Sequence, residues 1–241
     1  MQAVILAGGR GTRLRPYTVT FPKPLMPIGE LPILEIVLRQ LKAKGFDRVQ
    51  IATGHLSELV RAFCGDGSRW KMQVDYSHET EPLGTAGPVA SMADRLDENF
   101  LVMNGDLLTT LDYRRAFAHH LSTGAAATIC VFRRDAHIDF GVVEVDAAGN
   151  LAKYTEKPTF DFKVSMGINF FHRRVLSWMQ PGERLDIPEL IVKLLAAGER
   201  VACYSEECRW LDIGRADDYQ AATETFAQFQ DEFLPASSDA A

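Results

Sequence analysis

No stretch of this 241-residue chain approaches the roughly 18 uninterrupted apolar residues of a membrane span. The N-terminus also lacks the charged lead, long apolar region and cleavage site of a secretory signal, so the expected compartment is the cytoplasm. An excess of positive charge is missing too: 26 Lys and Arg face 32 Asp and Glu, for a net charge of −6. With no basic stripe to neutralise a polyphosphate backbone, nucleic-acid binding is excluded. The four cysteines, Cys64, Cys130, Cys203 and Cys208, have no metal-ligand spacing, and reduced thiols are expected. His55, His78, His119, His120, His137 and His172 are not spaced as ligands either, and are read as solvated or core residues. His78, beside Glu79, is the exception expected near a pocket. Neither a Ser-His-Asp nor a Cys-His constellation is present, and no internal repeat builds a further β-helix domain.

What is present is a 46% hydrophobic composition, enough for a substantial core in one α/β domain over residues 1–234. Short apolar strands at Ala3–Ala7, Val49–Thr53, Met72–Tyr76 and Phe100–Met103 alternate with helical patterns from Pro32 to Gly45 and from Ser57 to Phe63. This is the texture of a Rossmann-like, doubly wound sheet, with ligands expected at the carboxyl ends of its strands. From residue 125 onward, strands dominate: Thr128–Phe132, Gly141–Val145, Leu151–Thr155, Gly167–Phe171 and Val201–Ser205. Residues 1–124 are accordingly read as a nucleotide-binding half and 125–234 as the acceptor half. Asp186 and Glu189 form a capping-box pattern before a helix closed by Gly198, and one last helix is expected from after Asp212 to Phe233. Residues 235–241 read as a flexible tail.

The most informative segment follows the first strand. Gly8, Gly9 and Gly11 let the backbone turn tightly and bring N–H groups close to an anion, while Arg13 and Lys23 supply full charge. The dinucleotide fingerprint does not fit, because its third glycine is absent. The mononucleotide P-loop does not fit either, because Gly-Lys-Ser/Thr is absent.

The pattern that fits is Gly-Gly-x-Gly-Thr-Arg-Leu-x-Pro over residues 8–16 with Lys23-Pro24-Leu25 downstream, and here the chain resembles the sugar-1-phosphate nucleotidyltransferases. Glu81-Pro82-Leu83-Gly84-Thr85-Ala86-Gly87, Asn104-Gly105-Asp106, Phe140-Gly141-Val142-Val143, Glu156-Lys157-Pro158 and Trp210-Leu211-Asp212-Ile213-Gly214 follow in the family's order. The nearest likeness is to guanylyltransferases for mannose or heptose 1-phosphate.

The resemblance implies in-line attack by a sugar 1-phosphate on the α-phosphorus of an NTP, releasing pyrophosphate. The attacking phosphate has a second pKa near about 6, so no general base is required, and catalysis reduces to positioning and charge neutralisation. Leu6, Ala7 and the amides of Gly8, Gly9, Gly11 and Thr12 would cradle the nucleotide, with Pro82, Gly84, Thr85 and Gly105 lining its site. Arg13 would contact the departing phosphates and Lys23 the α-phosphate, each worth on the order of 3 kcal/mol. Asp106 and Asp212 are the implied Mg²⁺ ligands, matching an ion that takes one or two carboxylates together with phosphate oxygens and waters. Gly141, Glu156, Lys157 and Asn169 would bind the sugar phosphate.

By position, Glu79 or Glu81 would face the base. An ionised carboxylate accepts two hydrogen bonds from guanine N1–H and its 2-amino group, whereas uracil and thymine offer one N–H between two acceptors. GTP is therefore the expected donor, with UTP or dTTP and a glucose-type 1-phosphate as the alternative. Ser165-Met166-Gly167-Ile168-Asn169 departs from the family pattern where the sugar should lie, leaving mannose, glucose and heptose open. A glycosyltransferase consuming NDP-sugars would want Asp-x-Asp, which Asp106-Leu107-Leu108 does not supply. A regulatory nucleotide binder without activity is disfavoured by the complete set Arg13, Lys23, Asp106, Lys157 and Asp212. Small-molecule substrates are the expected partners, acting on a monomer or a homodimer.

Overall fold

The computed structural model describes residues 1–234, and the expected tail at 235–241 lies outside them. A seven-stranded mixed sheet runs through the protein. Across the sheet the strands are Val201–Tyr204, Ala127–His137, Thr159–His172, Asn99–Asn104, Gln2–Ala7, Arg48–Thr53 and Gln73–His78. Thr159–His172 alone runs antiparallel to both neighbours, and every other pairing is parallel.

Period-two alternation sorts the central strand into two cores. Ala3, Ile5 and Ala7 pack on one face, with the helices Ile33–Ala43, Ser57–Cys64, Tyr113–Thr123 and Ala216–Gln228 supplying Leu34, Val60, Tyr113 and Phe226. Val4 points to the other face, where Val89, Leu190 and Leu194 come from the helices Gly87–Ala90 and Ile187–Ala196. The result is a three-layer sandwich whose strands, covered on both faces, read as apolar runs. Among the described residues no helix is long and apolar enough to cross a membrane, and all four cysteines are free thiols.

Two departures from the sequence reading matter for the site. The expected helix to Phe233 is broken at Phe229 into Ala216–Gln228 and Gln230–Phe233, and it is preceded by a short strand, Trp210–Asp212, which pairs antiparallel with Leu107–Thr109. Two of the strands after residue 125 also run longer than expected. Arg133–His137 and Thr159–Lys163 continue the pairing of their strands beyond the sandwich as an exposed ribbon. With the hairpin Val142–Val145 and Leu151–Thr155, the ribbon forms an arm carrying exposed apolar side chains, among them Phe140, Leu151 and Phe162.

Candidate functional site

At the carboxyl ends of the central strands lies an open cleft of about 710 Å³. Leu6, Ala7, Gly8, Gly9, Gly11, Thr12, Arg13, Lys23, Glu79, Pro82, Gly84, Thr85 and Asp106, which the sequence suggests for the nucleotide, all line it. Gly105 lies behind the wall, its N–H bonded to the carbonyl of Leu6 at 2.9 Å. His78 reaches the cleft as expected, and so does His55, which the sequence reading left as an ordinary histidine. Arg10, Asn104, Asp186 and Gly214 also line it without having been assigned there.

The loop after the first strand keeps its shape without using its cations. Gly11 takes φ +57°, its carbonyl accepts from Thr18 Oγ1 at 2.7 Å, and Leu14 N–H closes back on that same carbonyl at 2.9 Å. At Gly8 a Cβ would stand 2.5 Å from Glu79 Oε2, so the carboxylate can approach this backbone only because the residue is glycine. Arg13 forms no ion pair among the described residues, and its guanidinium lies against Gly214, where a Cβ would be 3.5 Å from both terminal nitrogens.

Backbone hydrogen bonds bring three distant motifs to one place. Gly105 is tied to Leu6, Ile213 N–H bonds the carbonyl of Asp106 at 3.2 Å, and the short ladder pairs Asp212 with Leu107. Asp106 and Asp212, about a hundred positions apart in the sequence, thereby become neighbours. Trp210 Nε1 donates to the carbonyl of Met166 at 3.0 Å, fastening the same segment to the bulge at Ser165–Asn169, where Gly167 takes φ +71° beside Asn104.

Lys23 sits in the turn Lys23–Leu25, is 9% exposed, and pairs with Asp106 Oδ2. The other oxygen, Asp106 Oδ1, is buried without a hydrogen-bond partner. Burial raises the Asp212 carboxyl above its ordinary range and the charge of Asp106 adds to that, with Lys23 and Arg13 opposing. An orphaned carboxylate oxygen beside a second, crowded carboxylate fits a divalent cation. No cluster of three or more His, Cys, Asp or Glu side chains able to hold a metal occurs among the described residues. A Mg²⁺ ion on these two aspartates would take its remaining ligands from phosphate and water.

Glu79 follows the strand Gln73–His78. Its Oε1 accepts from Leu83 N–H at 3.0 Å, and burial raises its carboxyl, with that hydrogen bond and His78 opposing. Glu81 lines the same cleft but makes no such bond.

The residues read as sugar-binding stand apart from this cleft. Glu156 accepts from the Tyr154 hydroxyl at 2.9 Å on the exposed arm, and a Cβ at Gly141 would collide with that hydroxyl. Lys157 is exposed with φ +43°, and Asn169 is 2% exposed inside the sheet, its Oδ1 unpartnered.

Comparison with known proteins bears directly on this arrangement. A UTP–glucose-1-phosphate uridylyltransferase of Synechocystis is 33% identical, over 92% of this chain and 62% of its own length. A mannose-1-phosphate guanylyltransferase of Mycobacterium tuberculosis is also 33% identical, over 91% and 62%. The chain thus spans a little under two thirds of these relatives. Among solved structures, a putative glucose-1-phosphate thymidylyltransferase of Bacillus anthracis matches with a TM-score of 0.76 at 24% identity, covering 93% of this chain and 94% of that one. HddC of Yersinia pseudotuberculosis matches with a TM-score of 0.73 at 24% identity, covering 93% and 99%. The profile of the family described as Nucleotidyl transferase matches residues 2–228, which include both the glycine loop and Asp212, and the chain belongs to that family.

Proposed function

We propose that this protein transfers a guanylyl group from GTP to a sugar 1-phosphate of mannose or heptose type, giving a GDP-sugar and pyrophosphate. The observation that carries the choice of base is Glu79: one oxygen is held by Leu83 N–H, and the carboxylate lines the cleft against the Gly8 backbone. Relatives named for uridylyl and for guanylyl transfer stand at the same 33% identity, so support for the base rests on Glu79. Two donors on the Watson–Crick edge of guanine match an ionised acceptor better than the single N–H of uracil or thymine.

In this reading the amides of the Gly8–Thr12 loop cradle the triphosphate. Arg13, free of ion pairs, neutralises the phosphates that leave. Lys23 exchanges its contact with Asp106 for the α-phosphate, whose charge grows in the transition state. Asp106 and Asp212 would hold Mg²⁺, which when bound would supply further charge neutralisation to the phosphates. Lys157 and Glu156 take the phosphate and hydroxyls of the acceptor, while the space at Gly141 that the sequence reading reserved for the sugar is filled by the Tyr154 hydroxyl. The attacking oxygen arrives ionised, so the chain's task is alignment and no general base is required.

The test is a matrix of GTP, UTP, dTTP, ATP and CTP against mannose, glucose and heptose 1-phosphates with Mg²⁺, read as pyrophosphate release. Release with GTP and a mannose or heptose 1-phosphate is expected. No release with any pair would overturn the activity, and preference for UTP or dTTP would overturn the base assignment. Glu79→Gln should keep the Leu83 contact yet lower kcat/KM for GTP at least tenfold, since each charged hydrogen bond lost costs about 1.5–3 kcal/mol.

A further inference from the structure

Asp186 carries the sequence signature of a helix cap, and the structure gives it that part: its N–H donates to Glu189 Oε2 at 2.9 Å at the start of Ile187–Ala196. A cap alone does not explain where its side chain goes. The carboxylate lines the nucleotide cleft, and its Oδ1 accepts from Thr85 N–H at 3.0 Å and from Thr85 Oγ1 at 3.3 Å. Arg184 holds the other oxygen at 2.9 Å. The Thr85 hydroxyl, having donated to Asp186, accepts from Ile187 N–H at 2.7 Å, so it bridges the two segments as donor and acceptor.

Backbone bonds continue the seam. Ala86 and Gly87 N–H both donate to the Leu185 carbonyl, at 2.9 and 3.1 Å, and Leu185 N–H donates to the Leu83 carbonyl at 3.0 Å. The two segments are pressed so close that a Cβ at Gly84 would stand 2.6 Å from the Leu185 carbonyl oxygen. Leu83 is also the residue whose N–H holds Glu79. The position of the Glu79 carboxylate is therefore set from Leu185–Ile187, about a hundred residues away in the acceptor half.

We propose that Asp186 is a positioning residue for nucleotide selection, fixing the Leu83–Thr85 segment so that Glu79 meets the base at one place. This rests on the reading that the base lies against Glu79. A base edge is discriminated only when its partner is held to about 0.5 Å, which a segment of positive-φ glycine and proline cannot achieve without an anchor.

The variants are Asp186→Ala, Asp186→Asn and Glu189→Ala in the full chain, with kinetics for each NTP at saturating sugar 1-phosphate and with thermal unfolding. Asp186→Ala should raise KM for the preferred NTP at least tenfold, more than it lowers kcat, and reduce discrimination among NTPs at least fivefold. Asp186→Asn keeps an Oδ1 acceptor for Thr85 and should recover most of the discrimination. Glu189→Ala breaks only the cap and should lower Tm while leaving discrimination intact. Should Asp186→Ala fail to fold, Thr85→Val, which removes the hydroxyl and keeps the shape, should give the same KM and discrimination changes. Unchanged KM and discrimination in Asp186→Ala, or equal losses in Asp186→Asn and Glu189→Ala that track Tm, would overturn the proposal. Wild-type preference for UTP would instead overturn the base assignment, and the KM and discrimination of Asp186→Ala would then be read on UTP.

Discussion

Replacing Lys23 with methionine keeps the side chain's length and removes its charge, and the structure says what this strands. The Lys23 and Asp106 side chains are 10% and 23% exposed in their pair, and Asp106 Oδ1 already lacks a partner. Without the lysine both oxygens of Asp106 are unpaired beside Asp212. Removing one member of a fully buried pair costs about 3–5 kcal/mol, but this pair borders an open cleft, so we expect about 2 kcal/mol. For a chain of this size that is a Tm drop of about 4–8 °C. Adding Asp106→Asn removes the stranded charge and should restore most of the loss, so the four-member cycle should show strong coupling. Mg²⁺ should raise the Tm of Lys23→Met more than that of the wild type, because Asp106 has then lost its paired cation and only the more distant Arg13 offsets the two carboxylates. In kinetics the variant should lose on the order of 10²–10³ in kcat. Thermal unfolding with and without Mg²⁺ decides the point. A Lys23→Met protein as stable as the wild type, or a double variant no more stable than the single one, would refute the reasoning.

Two further outcomes are expected. Lys157→Ala should raise KM for the sugar 1-phosphate by about ten- to a hundredfold while leaving KM for the nucleotide alone, in line with one charged hydrogen bond. An unchanged sugar-phosphate KM in steady-state assays would remove Lys157 from the acceptor site. His120 is buried between Thr128 and Asn99, and burial pushes its pKa down to about 4. The unfolded chain takes up its proton near pH 6.5 and the folded protein only near 4, so stability should fall as pH drops through that window and be fully present above it. Urea unfolding between pH 4 and 8 should show this slope, and His120→Gln should flatten it.

The parts of the fold that were legible in the sequence are those whose signals are local. Ala3–Ala7 reads as a buried strand because it is apolar throughout, and the glycine loop, Lys23 and Glu79 all line the cleft because each stands just beyond a strand or turn visible in the sequence. The ladder between Leu107–Thr109 and Trp210–Asp212 was not legible, since three residues fall below any periodicity and the pairing spans about a hundred positions. The strand extensions Arg133–His137 and Thr159–Lys163 escaped for a different reason: exposed on both faces, they carry no alternation to detect. Asp186 was read for one of its two functions because a capping signal accounts for an aspartate completely. Asn169 follows the bulge at Gly167 into the sheet, where the register shift hid its direction.

The order of strands across the sheet also orders events during synthesis. The central strand Gln2–Ala7 finds both of its neighbours, Arg48–Thr53 and Asn99–Asn104, before the strands that complete the sheet have been made. The glycine loop and Asp106 can thus take up their places early, while Asp212 is delivered about a hundred residues later by the strand Trp210–Asp212. A nascent chain therefore carries the glycine loop and Asp106 well before Asp186 and Gly214 arrive to finish the cleft wall and before Asp212 is set beside Asp106.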